Sequence, residues 1–392
     1  MKKFIISILA LIMLLPFNIL CFAKDNQDKK VTINVYNWGE YISNGVDNAL
    51  DVNKEFTKRT GIGVNYTTFQ SNEELYAKLI GGSADYDVII PSDYMISKLI
   101  ENDMLKKINL DNIPNFSMID ENFKNLSYDP TNEYSIPYTW GTVGIFYNKN
   151  MVHLNEDEIS WNILWDEKYK DDILMFDNPR DSFGISLIRL GKSVNSENEE
   201  DWLKAADELK KQKTLVQAYV MDQIFDKMAN NEAALAPYYA GDAAILTKSN
   251  PNIGFVIPKE GTTEFVDAMC IPKTSMYPNE AEAYINFMCD TQIAKANSEY
   301  IGYSTPQKEA KKLLSDEIVN NKIFYPDEEV LQKAQIFKNL PDNISSLLDN
   351  SWVEIKTGGS SSGLVLIIVL VFFVILYFLA VFYKKRSKRK NL

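Results

Sequence analysis

VTINVYNWGEY, residues 31–41, runs from a β-rich segment into a cluster of aromatic and acidic side chains. Residues 31–36 predict a strand, because β-branched and aromatic residues favour extended backbone. Trp38, Glu40 and Tyr41 follow at its carboxyl end. In open α/β sheets, ligands bind beyond the carboxyl ends of the strands. The stretch therefore predicts an α/β fold with candidate binding residues at the end of its first strand.

Short β-rich runs alternate with amphipathic segments as far as about residue 356, a pattern typical of α/β lobes with largely parallel sheets. Apolar residues at helical spacing predict a helix over 46–60, and Gly61 stands where a helix stop is expected. The remaining predicted elements are extended segments at 64–69, 87–90, 134–137, 143–148 and 173–176 and helices at 73–80, 202–211 and 281–289.

The combination of rings and acids recurs at other predicted strands. A single aromatic or acid beside a strand is commonly a core residue or a helix cap, but the repetition favours a shared site. If these strand ends converge, they form a box of aromatic faces with carboxylates at its edges. Such a box suits a slender cation that has ammonium ends and an apolar middle. The residues concerned are Ser92, Tyr94, Asp181, Tyr239, Asp242, Phe265 and Asp267.

Both ends of the chain have the composition of targeting segments. Residues 1–23 combine a basic start with an apolar stretch, which predicts a signal peptide. Residues 364–383 form an uncharged apolar run long enough to span a bilayer. The basic tail 384–392 is expected to stay cytoplasmic by the positive-inside rule. We therefore expect a single-pass protein of the cell membrane, whose Gly/Ser linker 357–363 carries an extracytoplasmic domain.

Charge and composition exclude several classes of function. The 392-residue chain has a net charge of −12, which becomes −20 without the two basic residues of the leader and the six of the tail. This sign disfavours nucleic acid as a partner. His153 is the only histidine, and there is no GxGxxG, P-loop or HExxH sequence, so no catalytic residue, cofactor or metal is expected. Cys270 and Cys289 are expected to be buried thiols, although a disulfide stays open.

Six short sequences follow one another along the chain: YNWGEY (36–41), IIPSDY (89–94), SIPYTWG (135–141), YAGDA (239–243), VIPKEG (256–261) and IGYSTP (301–306). In this order and spacing they resemble the spermidine/putrescine-binding proteins of polyamine ABC transporters. The resemblance covers residues 31 to about 356 and implies a two-lobed type II periplasmic-binding-protein fold with an interlobe cleft. Lobe one would comprise 31–142 and 266–311, and lobe two 143–265 and 312–356.

The resemblance also implies the ligand-binding residues. The rings that match the wall of the ligand channel are Trp38, Tyr41, Tyr94, Tyr239, Phe265 and Tyr303, and the polar groups that match ligand contacts are Glu40, Ser92, Asp181, Asp242 and Asp267. Asp242 and Phe265 resemble the putrescine-binding type. The chain departs from the family's pattern at four places: Gly39 stands for Ser or Thr, Asp181 for Glu, Tyr239 often for Trp, and the Gln expected late in lobe two has no clear counterpart near Phe337.

The function implied by the resemblance is that of a monomeric binding protein, not an enzyme. It would capture putrescine or spermidine and deliver it to an ABC permease with its own ATPase subunit. Three alternatives stay open. A receptor for another cationic solute, such as a basic amino acid, would need an Arg for the α-carboxylate, and the only obvious candidate, Arg180, is expected to be structural. An acid-pair hydrolase and a membrane sensor that acts through a partner are the other two.

Overall fold

A computed structural model describes residues 31–82, 85–153 and 159–357. The predicted signal peptide (1–23), the membrane helix (364–383), the basic tail (384–392) and the linker beyond Thr357 lie outside these residues. Within the described ranges, no helix combines the length and the apolar character that crossing a membrane requires.

Ten strands of the described residues form a mixed sheet in the order β2-β1-β3-β9-β4-β7-β5-β6, with β10 beside β9 and β8 beside β4. The strands are β1 (Thr32–Trp38), β2 (Gly63–Phe69), β3 (Val88–Ile89), β4 (Ser135–Asn148), β5 (Ile173–Phe176), β6 (Val216–Val220), β7 (Leu235–Tyr239), β8 (Ile253–Val256), β9 (Thr263–Cys270) and β10 (Gln335–Ile336).

Strand β4 is shared by two lobes. Its first part, Ser135 to Thr142, pairs with β9, and its second part, from Val143 onward, pairs with β7 and β8. At one end of the sheet, β1 lies between β2 and β3 and pairs with both in parallel. At the other end, β5 lies between β7 and β6 and pairs with both in parallel. The chain is therefore a two-lobed α/β protein, as predicted. The predicted lobe boundaries at 142/143 and 265/266 fall inside β4 and β9 and stay predictions.

Helices pack on the sheets of both lobes. The described α-helices are Val52–Thr60, Asn72–Ile80, Asp93–Glu101, Pro179–Arg189, Glu199–Gln212, Gln223–Ala229, Ala243–Ser249, Pro278–Met288, Thr291–Ile301, Lys308–Leu313, Asp316–Val319, Glu328–Lys333 and Asp342–Thr357. Short 3₁₀ helices are Val46–Asn48, Leu110–Asn112, Pro114–Met118, Glu121–Phe123, Trp161–Trp165, Glu167–Tyr169 and Ala240–Asp242.

Local capping explains the ends of the first helix. The helix predicted over 46–60 begins only at Val52, because the Asp51 side chain accepts a hydrogen bond from Lys54 N at 2.9 Å and acts as the N-cap. Gly61 ends the helix as predicted, with a left-handed φ of 78° that glycine adopts without strain. Farther along the chain, Cys270 and Cys289 are both buried free thiols, the state expected from the sequence.

Candidate functional site

A cavity lies between the lobes, beyond the ends of the strands, within about 730 Å³ of empty space that is partly open to solvent. Its lining includes every residue proposed above for ligand binding: Trp38, Glu40, Tyr41, Ser92, Tyr94, Asp181, Tyr239, Asp242, Phe265, Asp267 and Tyr303. The structure thus brings together side chains that are dispersed over most of the chain. That they contact a ligand stays a prediction.

Strand ends carry most of these side chains. Strand β1 ends at Trp38, and β7 ends at Tyr239 and continues into the 3₁₀ helix Ala240–Asp242. Phe265 and Asp267 lie two residues apart on β9, so both project from the same face of that strand. The site is therefore built from elements of both lobes.

Three buried aspartates in the cavity each accept a hydrogen bond from a tyrosine hydroxyl. The pairs, with distances from Oη to Oδ2, are Tyr41–Asp267 (2.6 Å), Tyr239–Asp181 (2.7 Å) and Tyr303–Asp242 (2.8 Å). The other oxygen of Asp267, Oδ1, is buried and has no hydrogen-bond partner among the described residues. An unpaired buried acceptor is costly, so this oxygen is suited to a donor supplied by a ligand.

Burial raises the pKa of all three carboxyl groups above the ordinary 3.8. The pKa is about 6 for Asp267, about 7 for Asp181 and about 8 for Asp242, and the hydroxyl groups beside them act in the opposite direction. The negative charges of Asp222 and Glu40 add to the rise at Asp242. A cation placed between such groups would favour their ionised forms and lower each pKa again.

Aromatic rings form the walls of the cavity. The Trp38 and Phe69 ring centroids are 4.6 Å apart, and Tyr41 meets Tyr303 edge-on at the same centroid distance. Gly241 makes room for the Tyr303 ring, because a Cβ at position 241 would lie 2.3 Å from that ring. The walls can cover methylene groups and can face an ammonium group with their π-surfaces.

Basic groups are missing from the described lining, which contains no Lys, Arg or His. Arg180 is buried outside it, and its guanidinium donates hydrogen bonds to Val194 O at 3.3 Å, Asn195 Oδ1 at 3.1 Å and Lys338 O at 3.0 Å. Arg180 therefore has a structural role here. The basic amino acid alternative loses its candidate partner for an α-carboxylate.

Several lining residues were not indicated by the sequence. Asp222 has the clearest chemical role among them, since it adds a carboxylate to the cavity from the end of β6. It follows β6, so the signal of an acid after a strand was present, but the segment 216–220 was not predicted to be a strand. The other residues are Gly39, Phe69, Gln70, Asn72, Asn178, Met221, Phe225, Tyr238, Thr263 and Phe337.

Known proteins are similar to this chain in sequence and in fold. Residues 52–326 match the family described as bacterial extracellular solute-binding protein. The chain is 35% identical over 332 residues to the spermidine/putrescine-binding periplasmic protein of Escherichia coli K12, covering 84% of this chain and 93% of that protein. It is 32% identical over 376 residues to a putrescine-binding periplasmic protein of Pseudomonas aeruginosa, covering 91% of this chain and 100% of that protein.

A solved structure, described as a putative spermidine/putrescine ABC transporter from Listeria monocytogenes, is 38% identical and superposes with a TM-score of 0.78. The match covers 83% of this chain and 98% of that one. The chain therefore belongs to the bacterial extracellular solute-binding proteins, in the family that contains the spermidine/putrescine-binding periplasmic proteins.

Proposed function

We propose that this protein is the extracytoplasmic solute-binding component of a polyamine ABC importer. It captures putrescine or spermidine in the cleft between its lobes and delivers the ligand to a permease whose ATPase is a separate subunit. The observation that carries this proposal is a cavity in which three buried aspartates stand among aromatic rings, with no basic side chain in its described lining. The names of the relatives at 35% and 32% identity support the same ligand class.

Burial of charge explains why such a site selects a polyamine. An isolated ammonium group costs several kcal/mol to bury, so it needs carboxylates that ionise around it. Each ring set against the amine contributes about 0.5 to 2 kcal/mol, and burial of four methylene groups contributes about 3 kcal/mol. These contributions support micromolar or tighter binding after the cost of closing the lobes. The role requires no bond to be made or broken.

Calorimetric titration of the purified full chain with putrescine, spermidine, spermine and a basic amino acid tests the proposal. We expect saturable binding of at least one polyamine and none of the amino acid, because the described cavity offers carboxylates and no partner for an α-carboxylate. A chain that binds the amino acid and no polyamine would contradict the proposal.

Asp242→Ala is expected to weaken putrescine binding about fivefold and spermidine binding less. Asp242 is buried and held by Tyr303, and we propose that it fixes one ammonium end of a diamine. A triamine keeps more of its charged contacts when this acid is removed. The measurement is the ratio of the two dissociation constants, and equal losses for the two ligands would argue against a putrescine-type site.

The proposal includes attachment to the membrane. Residues 364–383 are apolar and uncharged and precede a basic tail, which favours a single-pass anchor with the binding domain outside the cell. Cell fractionation tests it, with the intact protein expected in the membrane fraction and resistant to alkaline extraction. Intact protein released into the medium would count against an anchor.

A further inference from the structure

Gly39 and Asp222 face each other across the cleft. Gly39 follows β1, and Asp222 follows β6 in the opposite lobe. A Cβ on Gly39 would lie only 2.4 Å from Asp222 Oδ2. The backbone at Gly39 is not in the left-handed region that favours glycine. The space beside Gly39 is therefore occupied by the Asp222 carboxylate, which is the end of a flexible side chain, and backbone conformation does not account for a glycine here.

Asp222 lines the cavity and is free to meet a ligand. It is half-buried, whereas Asp242 is only 4% exposed. The hydrogen bond that it accepts from Gln70 Nε2 measures 3.4 Å, which is long for such a bond. Within the described lining there is no basic side chain to neutralise it. A carboxylate held in this way retains most of its capacity to bind a cation.

The acids of the cavity fall into two groups. The negative charge of Asp267 acts on Asp181, and these two buried residues form the inner acidic group. The charges of Asp222 and Glu40 act on Asp242, and these three form the outer acidic group. Within the outer group, Glu40 is exposed and Asp222 is half-buried, so these two acids face solvent, whereas Asp242 is buried.

We propose that Asp222 binds an ammonium group of the ligand at the solvent-facing end of the cavity and that Gly39 makes the room for it. The inference rests on the proposed polyamine-binding function and adds a preference for length. A diamine bridges the inner group and Asp242, whereas a longer triamine brings a further ammonium group to Asp222. Gly39 acts as a positioning residue, since it contributes no polar side chain.

Titration of the full chain carrying Asp222→Asn tests the first half of the proposal. We expect spermidine affinity to fall about fivefold and putrescine affinity to fall less, with the spermidine effect shrinking at high salt because the outer end is partly exposed. Asp226→Asn is the matched control. It makes the same change of charge on the neighbouring helix Gln223–Ala229, at an exposed residue outside the cavity lining, and should leave both affinities unchanged.

A double-mutant cycle tests the second half. Gly39→Ser should weaken binding of both amines about fivefold, because its side chain meets the Asp222 carboxylate and hinders lobe closure. Adding Asp222→Ala to Gly39→Ser removes that collision, so the double variant should bind putrescine as Asp222→Ala alone does.

Two results would overturn the inference while the wild type still binds polyamines: spermidine binding by Asp222→Asn equal to that of the wild type, or a Gly39→Ser defect of the same size with and without Asp222→Ala. A wild-type chain that binds no amine would instead refute the proposed function, and the inference with it. The two failures are therefore distinguishable.

Discussion

Asp267→Ala is expected to weaken polyamine binding by about tenfold or more while the protein stays folded. Asp267 is 4% exposed, and its Oδ1 has no partner among the described residues. Removing the carboxylate leaves the ligand's ammonium group buried without a counter-charge, which costs several kcal/mol. Tyr41 keeps a second partner, since its hydroxyl lies 2.5 Å from Thr139 Oγ1, so the wall should remain in place.

The measurement is calorimetric titration together with thermal unfolding of the free protein. Asp87→Asn is a matched control: Asp87 is also buried in lobe one, but it accepts hydrogen bonds from Ser275 Oγ and Asn34 N and does not line the cavity. That variant should be less stable but should keep its polyamine affinity, because the substitution weakens hydrogen bonds within the protein and removes no ligand contact. Unchanged polyamine affinity in a folded Asp267→Ala protein would remove Asp267 from the ligand site.

The sequence was most informative where local pattern decides structure. Residues 173–176 are a continuous apolar run, and the predicted strand has the same bounds as β5. Gly61 ends the first helix, as predicted. The acids and rings after the strands were found because strand ends of an α/β sheet meet at one edge. Each of these features could be predicted from a short stretch of neighbouring residues.

Other features depend on contacts that the sequence cannot show. Residues 134–137 and 143–148 were predicted as separate extended segments, and Pro137 and Gly141 lie at or between them. They belong to one strand, β4, which is buried throughout and has a shift of register between Pro137 and Thr139. Strand β6 was not predicted, although its apolar residues Val216, Ala218 and Val220 stand at every second position.

The pairing of tyrosines with aspartates in the cavity also depends on contacts that the sequence cannot show. Tyr41 and Asp267 are 226 residues apart in sequence and become partners only when β1 and β9 are assembled in one sheet. The sequence could name both residues as site candidates but could not say which hydroxyl holds which carboxylate. Nor could it show that Gly39 lies against Asp222, since that contact joins two lobes.

Polyamine affinity is expected to fall steeply as the pH drops from about 8.5 to about 5.5, by up to tenfold per pH unit for each proton that the ligand must displace. In the free cavity, burial raises the pKa of Asp242 to about 8, of Asp181 to about 7 and of Asp267 to about 6. The ammonium groups of the ligand stay charged over this range. Because they pair with ionised carboxylates, protonation of the acids competes directly with binding.

Proton release is the direct measurement. Titrations at pH 7 in buffers of different ionisation enthalpy should show that protons leave the protein when the ligand binds. Asp242→Asn should release fewer protons, since the group with the highest pKa of the three is then absent. Affinity that stays constant between pH 8.5 and 5.5 would show that these carboxylates are already ionised in the free protein, and that burial does not govern their titration.

The stability of the free protein should change with pH in the direction opposite to the polyamine affinity. A carboxyl group whose pKa is raised by folding contributes stability that is present below its unfolded pKa and is lost as the pH rises through its folded pKa. For Asp267, Asp181 and Asp242 that loss spans the range from about 4 to about 8. Their contribution should therefore stabilise the free protein as the pH falls, while the stabilisation added by saturating polyamine shrinks. The melting temperatures of the free and the polyamine-bound protein should converge toward pH 5. The reason is that burial disfavours the ionised form of these three carboxylates in the empty cavity, and the ligand's ammonium groups favour it.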